Sequence, residues 1–227
     1  YNISFLNSYF ESISGFTTTG FSIIENIEDI DEPLLLWRSS SQWLGGLFFL
    51  IAAIGTLGTR QIKIKPIYLI PGAGLSGNFY NNFNYNFIKI LLIYFFSTVF
   101  VIFLYNMVDI RLFDSFNLAF TVVSSGGFLP TNDLPNITAN NLQILILSIT
   151  LLFPIFNFYL LFNIFTKQFK FQDHQEDLHL GTIIIILASL FYFFIIPDEG
   201  IFSIFLAITS SVSTSGISTY SSNFDAS

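Results

Sequence analysis

Apolar residues along this chain fall into four long stretches that are separated by polar connections. A helix needs about 20 mostly apolar residues to cross the hydrocarbon core of a bilayer. Three of the stretches reach that length, and the fourth is shorter but nearly free of charge. The pattern predicts an all-α integral membrane protein. Its predicted membrane spans are, in chain order, Leu34–Leu57, Phe87–Met107, Leu142–Phe165 and Gly181–Ile196.

The composition agrees with a membrane protein. Of the 227 residues, 52% are hydrophobic and 10% are charged, and the mean hydropathy is +0.66, which excludes an ordinary soluble domain. The chain has no cysteine, so disulfides and cysteine-based metal or redox sites are excluded. His174 and His179 lie in a polar run between two spans, which favours a solvated loop over a ligand role. The net charge of −7 gives no indication of nucleic acid, and no such partner is predicted.

Basic and acidic residues occupy alternate connections between the spans. Basic residues concentrate in or beside the connections after the first and third spans, which are therefore predicted to be cytoplasmic. These residues are Arg60, Lys63, Lys65, Lys89, Lys167 and Lys170. The other connections hold acids and, apart from Arg111, almost no bases. They are predicted to face outside, where their charge raises the local concentration of cations.

Three stretches between the spans resemble one another, and all lie on the predicted outer side. They cover 9–21, 116–128 and 205–217, and each is a short amphipathic run that ends in small hydroxyl residues, a glycine and an apolar residue. A helix of about ten residues is roughly 15 Å long, half the bilayer core, so it enters the membrane without crossing it. A return through extended backbone is tolerated only where it lines a watery cavity. A Ser/Thr/Gly-rich turn explains one such copy; three matched copies predict a pore.

The glycine in each stretch indicates ion selection by backbone carbonyl groups. In potassium channels, rings of carbonyl oxygens replace the hydration shell of K⁺, and glycine permits the positive φ values that aim carbonyls at one axis. The half-helix before each loop also presents its partial negative charge to a cation. The predicted K⁺-binding backbones are Thr18, Thr19, Gly20 and Phe21, then Ser125, Gly126, Gly127 and Phe128, then Thr214, Ser215, Gly216 and Ile217. The hydroxyls of Thr17, Ser124 and Ser213 are candidates to assist.

Three further residues in or near the spans have a structural and a functional interpretation. Arg38 lies near the start of the first span, where snorkelling or pairing with Glu11 or Asp31 is favoured over ion gating. For Glu11, a structural hydrogen bond behind the loop is favoured over direct cation binding. Pro154 interrupts the third span, where a tolerated kink is favoured over a gating hinge.

Motifs spread over nearly the whole chain carry a family resemblance. They lie at 10–20, 37–46, 113–128 and 211–216. They resemble the Trk/Ktr/HKT superfamily of potassium transporters, and its TrkH-like members most closely. The resemblance implies four repeated units of membrane helix, pore loop and membrane helix around a potassium-channel-like pore. The chain would supply an incomplete set of the four: the first pore loop and inner helix in 1–65, the second repeat in 66–170, and the third outer helix and pore loop in 171–227. Its start without methionine and its polar end predict a fragment.

The resemblance also implies a function and partners. The implied function is potassium uptake by a multi-pass protein of the plasma (inner) membrane, with K⁺ as the transported ion, no organic cofactor and no enzyme activity. A Na⁺-permeable protein of the same fold remains the alternative, although Gly20 favours K⁺ because a serine there accompanies sodium preference in plant relatives. A polytopic membrane enzyme is disfavoured, since the spans hold almost no ionisable residue besides Arg38. The implied partners are a second copy, in a homodimer, and a cytosolic nucleotide-binding regulatory subunit of the TrkA/KtrA type.

Overall fold

The computed structural model describes residues 3–57, 79–155, 175–194 and 200–217. Regular structure in these ranges is helical throughout, with no strand, so the prediction of an all-α fold is confirmed. The α-helices are α1 (Phe5–Phe16), α2 (Glu32–Leu57), α3 (Phe79–Met107), α4 (Leu112–Ser124), α5 (Asn141–Thr150), α6 (Gln175–Phe194) and α7 (Ile201–Val212). Two short 3-10 helices, Ile27–Asp29 and Leu134–Asn136, lie in the connections.

The first two predicted spans lie inside the long helices α2 and α3. Within the described ranges, Ile90–Met107 of α3 is the one helical segment long and apolar enough, by length and composition, to cross a bilayer. The fourth predicted span lies in α6 as far as Phe194. The basic connections at 58–65 and 167–170, and residues 156–165 of the third span, lie outside the described residues.

Pro154 accounts for the early end of α5 within the third predicted span. The helix ends at Thr150, and the N–H of Phe153 then bonds to the Thr150 carbonyl three residues back, at 3.0 Å. Pro154 has no N–H to donate to the same carbonyl, and its ring would clash with it in a continuing α-helix. The predicted interruption at Pro154 is therefore confirmed, and it takes the form of tight turns from Leu151 to Ile155.

The short helix α4 occupies the centre of the fold. It packs between α2 and α3, and its residues Leu118 and Val122 are fully buried. They join Tyr94 and Tyr105 of α3 and Leu147 of α5 in the main apolar core. The helix α1 packs on α2, and α7 packs on α5 and α6. The three short helices α1, α4 and α7 thus each pack on at least one longer helix.

Large apolar side chains remain exposed on the outside of this assembly. On α3 they include Phe95, Phe96 and Phe103, and on α1 they include Phe5 and Leu6. Contact of a continuous apolar surface of this kind with water is unfavourable, whereas contact with lipid tails or further protein is favourable. The exposed surface thus agrees with the membrane class that the sequence predicts.

Candidate functional site

The segments that follow α1, α4 and α7 share one backbone conformation. We call them the first loop (Thr17–Phe21), the second loop (Ser124–Phe128) and the third loop (Ser213–Ile217). In each, two residues have a positive φ, separated by one residue: Thr18 and Gly20 (54° and 79°), Ser125 and Gly127 (59° and 91°), and Thr214 and Gly216 (60° and 68°). The three segments found by sequence similarity are therefore similar in geometry as well.

The first positive φ in each loop was not predicted from the sequence. It falls on Thr18, Ser125 and Thr214, whereas the sequence predicts a positive φ only at the glycines. A left-handed conformation costs a residue with a Cβ about 1–2 kcal/mol. Strain of this kind concentrates at functional sites, where surrounding contacts hold it in place.

Backbone hydrogen bonds show which way the loop carbonyls point. In the first loop, the N–H groups of Thr18 and Thr19 donate to the carbonyls of Gly15 and Ser14 at the end of α1, both at 3.0 Å. In a trans peptide the carbonyl points opposite to the N–H of the next residue. The carbonyls of Thr17 and Thr18 therefore point away from α1.

The other two loops repeat this pattern residue by residue. The bonds run from Ser125 to Val122 and from Gly126 to Thr121 in the second loop (3.1 and 2.8 Å), and from Thr214 to Ser211 and from Ser215 to Ser210 in the third (3.2 and 3.1 Å). The carbonyls directed away from the half-helices (α1, α4 and α7) are thus those of Thr17, Thr18, Ser124, Ser125, Ser213 and Thr214, together with that of Thr19, because the N–H of Gly20 also donates to the Ser14 carbonyl at 3.4 Å. Four of these, at Thr18, Thr19, Ser125 and Thr214, were among the predicted ion-binding backbones.

The three loops meet through their glycines. A Cβ placed on Gly20 would lie 2.0 Å from the carbonyl oxygen of Gly126, and one on Gly127 would lie 2.2 Å from that of Ser215. Each glycine thus packs on the residue that precedes the glycine of the next loop. The same relation thus leads from the first loop to the second and from the second to the third. At Gly216, no atom of the described ranges lies within 4 Å of the corresponding Cβ position.

The carbonyls after the first two glycines are bonded to the half-helices. The Ser14 hydroxyl donates to the Phe21 carbonyl at 2.6 Å, and the Thr121 hydroxyl donates to the Phe128 carbonyl at 2.6 Å. The predicted contribution of these two carbonyls therefore competes with a hydroxyl donor. In the third loop, Ile217 is buried in the main core.

The three assisting hydroxyls also bond to their own half-helices. Thr17 Oγ1 donates to the Ile13 carbonyl at 2.7 Å, and Ser124 Oγ donates to the Phe120 carbonyl at 2.8 Å. Ser213 Oγ donates to the Ser210 carbonyl at 3.1 Å. Their protons are thus directed into the helix ends, and the oxygens of Thr17 and Ser213 also lie within hydrogen-bond distance of the Thr19 and Ser215 hydroxyls.

Gln42 of α2 is a site residue that the sequence argument did not single out. Its side chain is fully buried, and its Nε2 donates to the Gly126 carbonyl at 2.9 Å. Its Oε1 accepts from the N–H of Phe128 and from the Thr121 hydroxyl, both at 3.2 Å. A glutamine within a predicted span was the available signal, because a buried amide needs polar partners.

Arg38 and Glu11 form the ion pair that was one of two predicted for this arginine. The guanidinium lies 3.3 Å from Glu11 Oε2, and both side chains are about nine-tenths buried. The second carboxylate oxygen accepts from the Ser22 hydroxyl at 2.6 Å and from the Ile23 N–H at 2.8 Å. The guanidinium also stacks 4.2 Å from the centre of the Phe128 ring. This network connects the segment after the first loop with the end of the second.

Acidic side chains line a cavity of about 490 Å³ beyond the second loop. Glu28, Glu32, Asp109 and Asp114 contribute to its wall, and Arg111 forms an exposed ion pair with Glu32. Burial raises the pKa of the Asp114 carboxyl, while the charge of Arg111 acts in the opposite direction. Four of the acids that the sequence predicts to be outside thus lie around one cavity.

Comparison with known proteins finds potassium uptake proteins among the relatives of this chain. No family model matches the chain. The chain is 31% identical, over 54% of its length, to the Trk system potassium uptake protein TrkH of Halomonas elongata, and covers 26% of that protein. It is 24% identical, over 96% of its length, to TrkH of Salmonella typhimurium, and covers 47% of that protein. These relatives are named as uptake proteins, in agreement with the prediction that the chain is not an enzyme.

A solved structure shows the same fold. The crystal structure of the potassium transporter TrkH from Vibrio parahaemolyticus matches with a TM-score of 0.76 over 96% of this chain and 46% of that chain, at 21% sequence identity. The chain spans less than half the length of these relatives. Sequence and fold together confirm the resemblance that the motifs indicate.

Proposed function

We propose, from the resemblance of this chain to TrkH-like members of the Trk/Ktr/HKT superfamily, that it forms part of a potassium uptake pathway across a membrane. The transported ion is K⁺, and its path runs between the first, second and third loops. Those loops act as a selectivity filter in which backbone carbonyl oxygens replace the water around the ion. The complete protein is a multi-pass protein of the plasma (inner) membrane.

The observation that carries the proposal is the convergence of the three loops. The glycine of one loop packs on the backbone of the next, and this contact recurs in the same register at Gly20 and Gly127. In this proposal, the carbonyls that point away from the three half-helices face the path of the ion. The half-helices α1, α4 and α7 also end at this path, and their C-terminal partial charges favour a cation.

Two partners follow from the resemblance alone. The protein assembles as a homodimer and binds a cytosolic nucleotide-binding regulatory subunit of the TrkA/KtrA type. The contact surfaces proposed for that subunit are the basic connections near Arg60 and Lys167, which lie outside the described residues.

The test is K⁺ uptake by the full-length protein in a host that lacks its own uptake systems. We expect growth at low K⁺ with the unaltered protein and none with Gly127→Val. A β-branched residue tolerates neither the φ of +91° nor the contact with the Ser215 carbonyl. Equal membrane expression of the two proteins is the control.

Competition distinguishes the two candidate ions. K⁺ uptake that excess Na⁺ leaves unchanged supports potassium selectivity, whereas equal competition by Na⁺ favours the sodium-permeable alternative. Unchanged growth with Gly127→Val would contradict the role of the loops.

A further inference from the structure

Each loop has a glycine with a positive φ, namely Gly20, Gly127 or Gly216, and the residue before that glycine has the same position in all three loops. It is Thr19 in the first, Gly126 in the second and Ser215 in the third, and the N–H of each donates to the end of its half-helix. Thr19 and Ser215 have hydroxyls that bond within their own loops. The Thr19 hydroxyl lies 2.8 Å from that of Thr17, and the Ser215 hydroxyl lies 3.0 Å from that of Ser213. Gly126 has no side chain to make such a bond.

The side chain of Gln42 occupies the space that a side chain at Gly126 would fill. A Cβ on Gly126 would lie 2.4 Å from both Cδ and Oε1 of Gln42. The φ of Gly126 is not positive, unlike those of the three filter glycines. The backbone at this position is therefore open to other residues, and it is Gln42 that requires a glycine here.

The amide of Gln42 also holds the backbone on both sides of Gly127. Nε2 donates to the carbonyl before it, at Gly126, and Oε1 accepts from the N–H after it, at Phe128. Two adjacent glycines have more conformational freedom than any other pair of residues. The peptide between Gly126 and Gly127 is therefore the one in the second loop most in need of an external restraint.

We propose that Gln42 is the positioning residue of the second loop and that it determines how well this loop discriminates K⁺ from Na⁺. It supplies from α2 the polar restraint that Thr19 and Ser215 supply from within their own loops. Discrimination depends on the number and arrangement of the carbonyls around the ion, and Gln42 restrains the backbone that directly follows the Ser124 and Ser125 carbonyls. The inference rests on the proposed function, because it concerns the same loops.

A double-mutant cycle in the full-length protein tests the exchange of one side chain for the other. The variants are Gln42→Ala, Gly126→Ser and the combination of the two. Gly126→Ser alone clashes with Gln42, and Gln42→Ala alone leaves the Gly126 carbonyl and the Phe128 N–H without their partner. We expect each single change to lower the ratio of K⁺ to Na⁺ uptake about tenfold, the effect of losing a buried hydrogen bond. In the combination, the new serine fits the space left by the amide and restores most of the ratio.

Gln143 of α5 offers a matched control. It is also a buried glutamine, and its Nε2 donates to the Val108 carbonyl at 2.8 Å while its Oε1 accepts from the Asn140 N–H. We expect Gln143→Ala to lower the unfolding temperature and to leave the ratio of K⁺ to Na⁺ uptake unchanged. Gln42→Met, which keeps the volume without the hydrogen bonds, replaces Gln42→Ala as the single variant if that protein fails to fold; the combination keeps Gln42→Ala, because only the smaller side chain leaves room for the serine.

The outcomes separate this inference from the proposed function. Additive losses in the double variant, or an unchanged ratio in a folded Gln42→Ala protein, would overturn the role of Gln42 while the potassium assignment stands. If the unaltered protein carries neither cation, the proposed function fails. The four proteins are then compared by unfolding temperature, where additive losses overturn the exchange and recovery in the double variant supports it.

Discussion

The first and second loops reach the same backbone conformation with different support. The first loop follows a half-helix, α1, whose apolar side chains are largely exposed, and its Phe21 is 71% exposed. The second follows α4, which is buried between two long helices, and its Phe128 is 3% exposed beneath the Arg38 guanidinium. Thr19 restrains the first loop from within, whereas Gln42 restrains the second from α2.

Some of the contacts that hold the loops are common to both, and others differ between them. Both loops share the hydroxyl on the half-helix, at Ser14 and Thr121, that donates to the carbonyl after the glycine. In both loops, two successive backbone N–H groups also donate to carbonyls at the end of the preceding half-helix. The side chains behind the loops differ because each loop has different neighbours. We conclude that the backbone conformation is repeated, whereas the side chains that support it differ from one loop to the other.

The largest effect is expected for the ion pair that connects the two loops. Arg38→Met leaves the Glu11 carboxylate buried without its charged partner, and breaking a buried pair costs about 3–5 kcal/mol. Thermal unfolding in detergent measures the loss. The control is Arg111→Met, which breaks an exposed ion pair and is expected to change little. Equal effects of the two substitutions would show that Glu11 and Arg38 support neither loop.

A smaller effect is expected when alanine replaces the glycine of the first loop. The comparison is with the same replacement in the third loop. Gly20→Ala and Gly216→Ala both place a Cβ at positive φ, which costs about 1–2 kcal/mol. Gly20→Ala also drives that Cβ into the Gly126 carbonyl, and such overpacking adds about 1–3 kcal/mol. We expect Gly20→Ala to lower the unfolding temperature and the K⁺ uptake more. An equal loss with Gly216→Ala would reveal that another segment of the full-length protein packs on the third loop.

The smallest effect is expected for the hydroxyls that the two loops share. Thr121→Val and Ser14→Ala each remove a donor to a carbonyl, at a cost of about 1–3 kcal/mol. Thr121 should be the more sensitive because it also bonds to Gln42 Oε1. Urea unfolding of both variants gives the order, with Ser12→Ala on the exposed face of α1 as the control. The reverse order would contradict the stronger support assigned to the second loop.

Local patterns predicted much of this arrangement. The all-α fold, the interruption at Pro154 and the pairing of Arg38 with an acid followed from hydropathy, ring geometry and the cost of a buried charge. The glycine motif at Gly20, Gly127 and Gly216 located the loops because a positive φ leaves a residue-type signature.

Long-range contacts were beyond the reach of the same patterns. Gln42 lies 84 residues before Gly126 in the chain, and the residues next to either one do not predict their hydrogen bond. The positive φ of Thr18 and Ser125 was equally hidden, because it is imposed by contacts with the half-helix on residues that do not favour it. The predicted roles of the Phe21 and Phe128 carbonyls did not take the opposing hydroxyls into account.

The third loop has a mechanical consequence of its own. Leu206 on α7 and Ile217 at the loop's end lie in the main core with side chains from α3 to α5, whereas Ile204 and Ile208 form a smaller cluster with Ile184 of α6. The helix α7 thus packs with α3 to α5 through one set of side chains and with α6 through another, so a displacement of α6 is expected to disturb the contacts of Ile184 before those of Leu206.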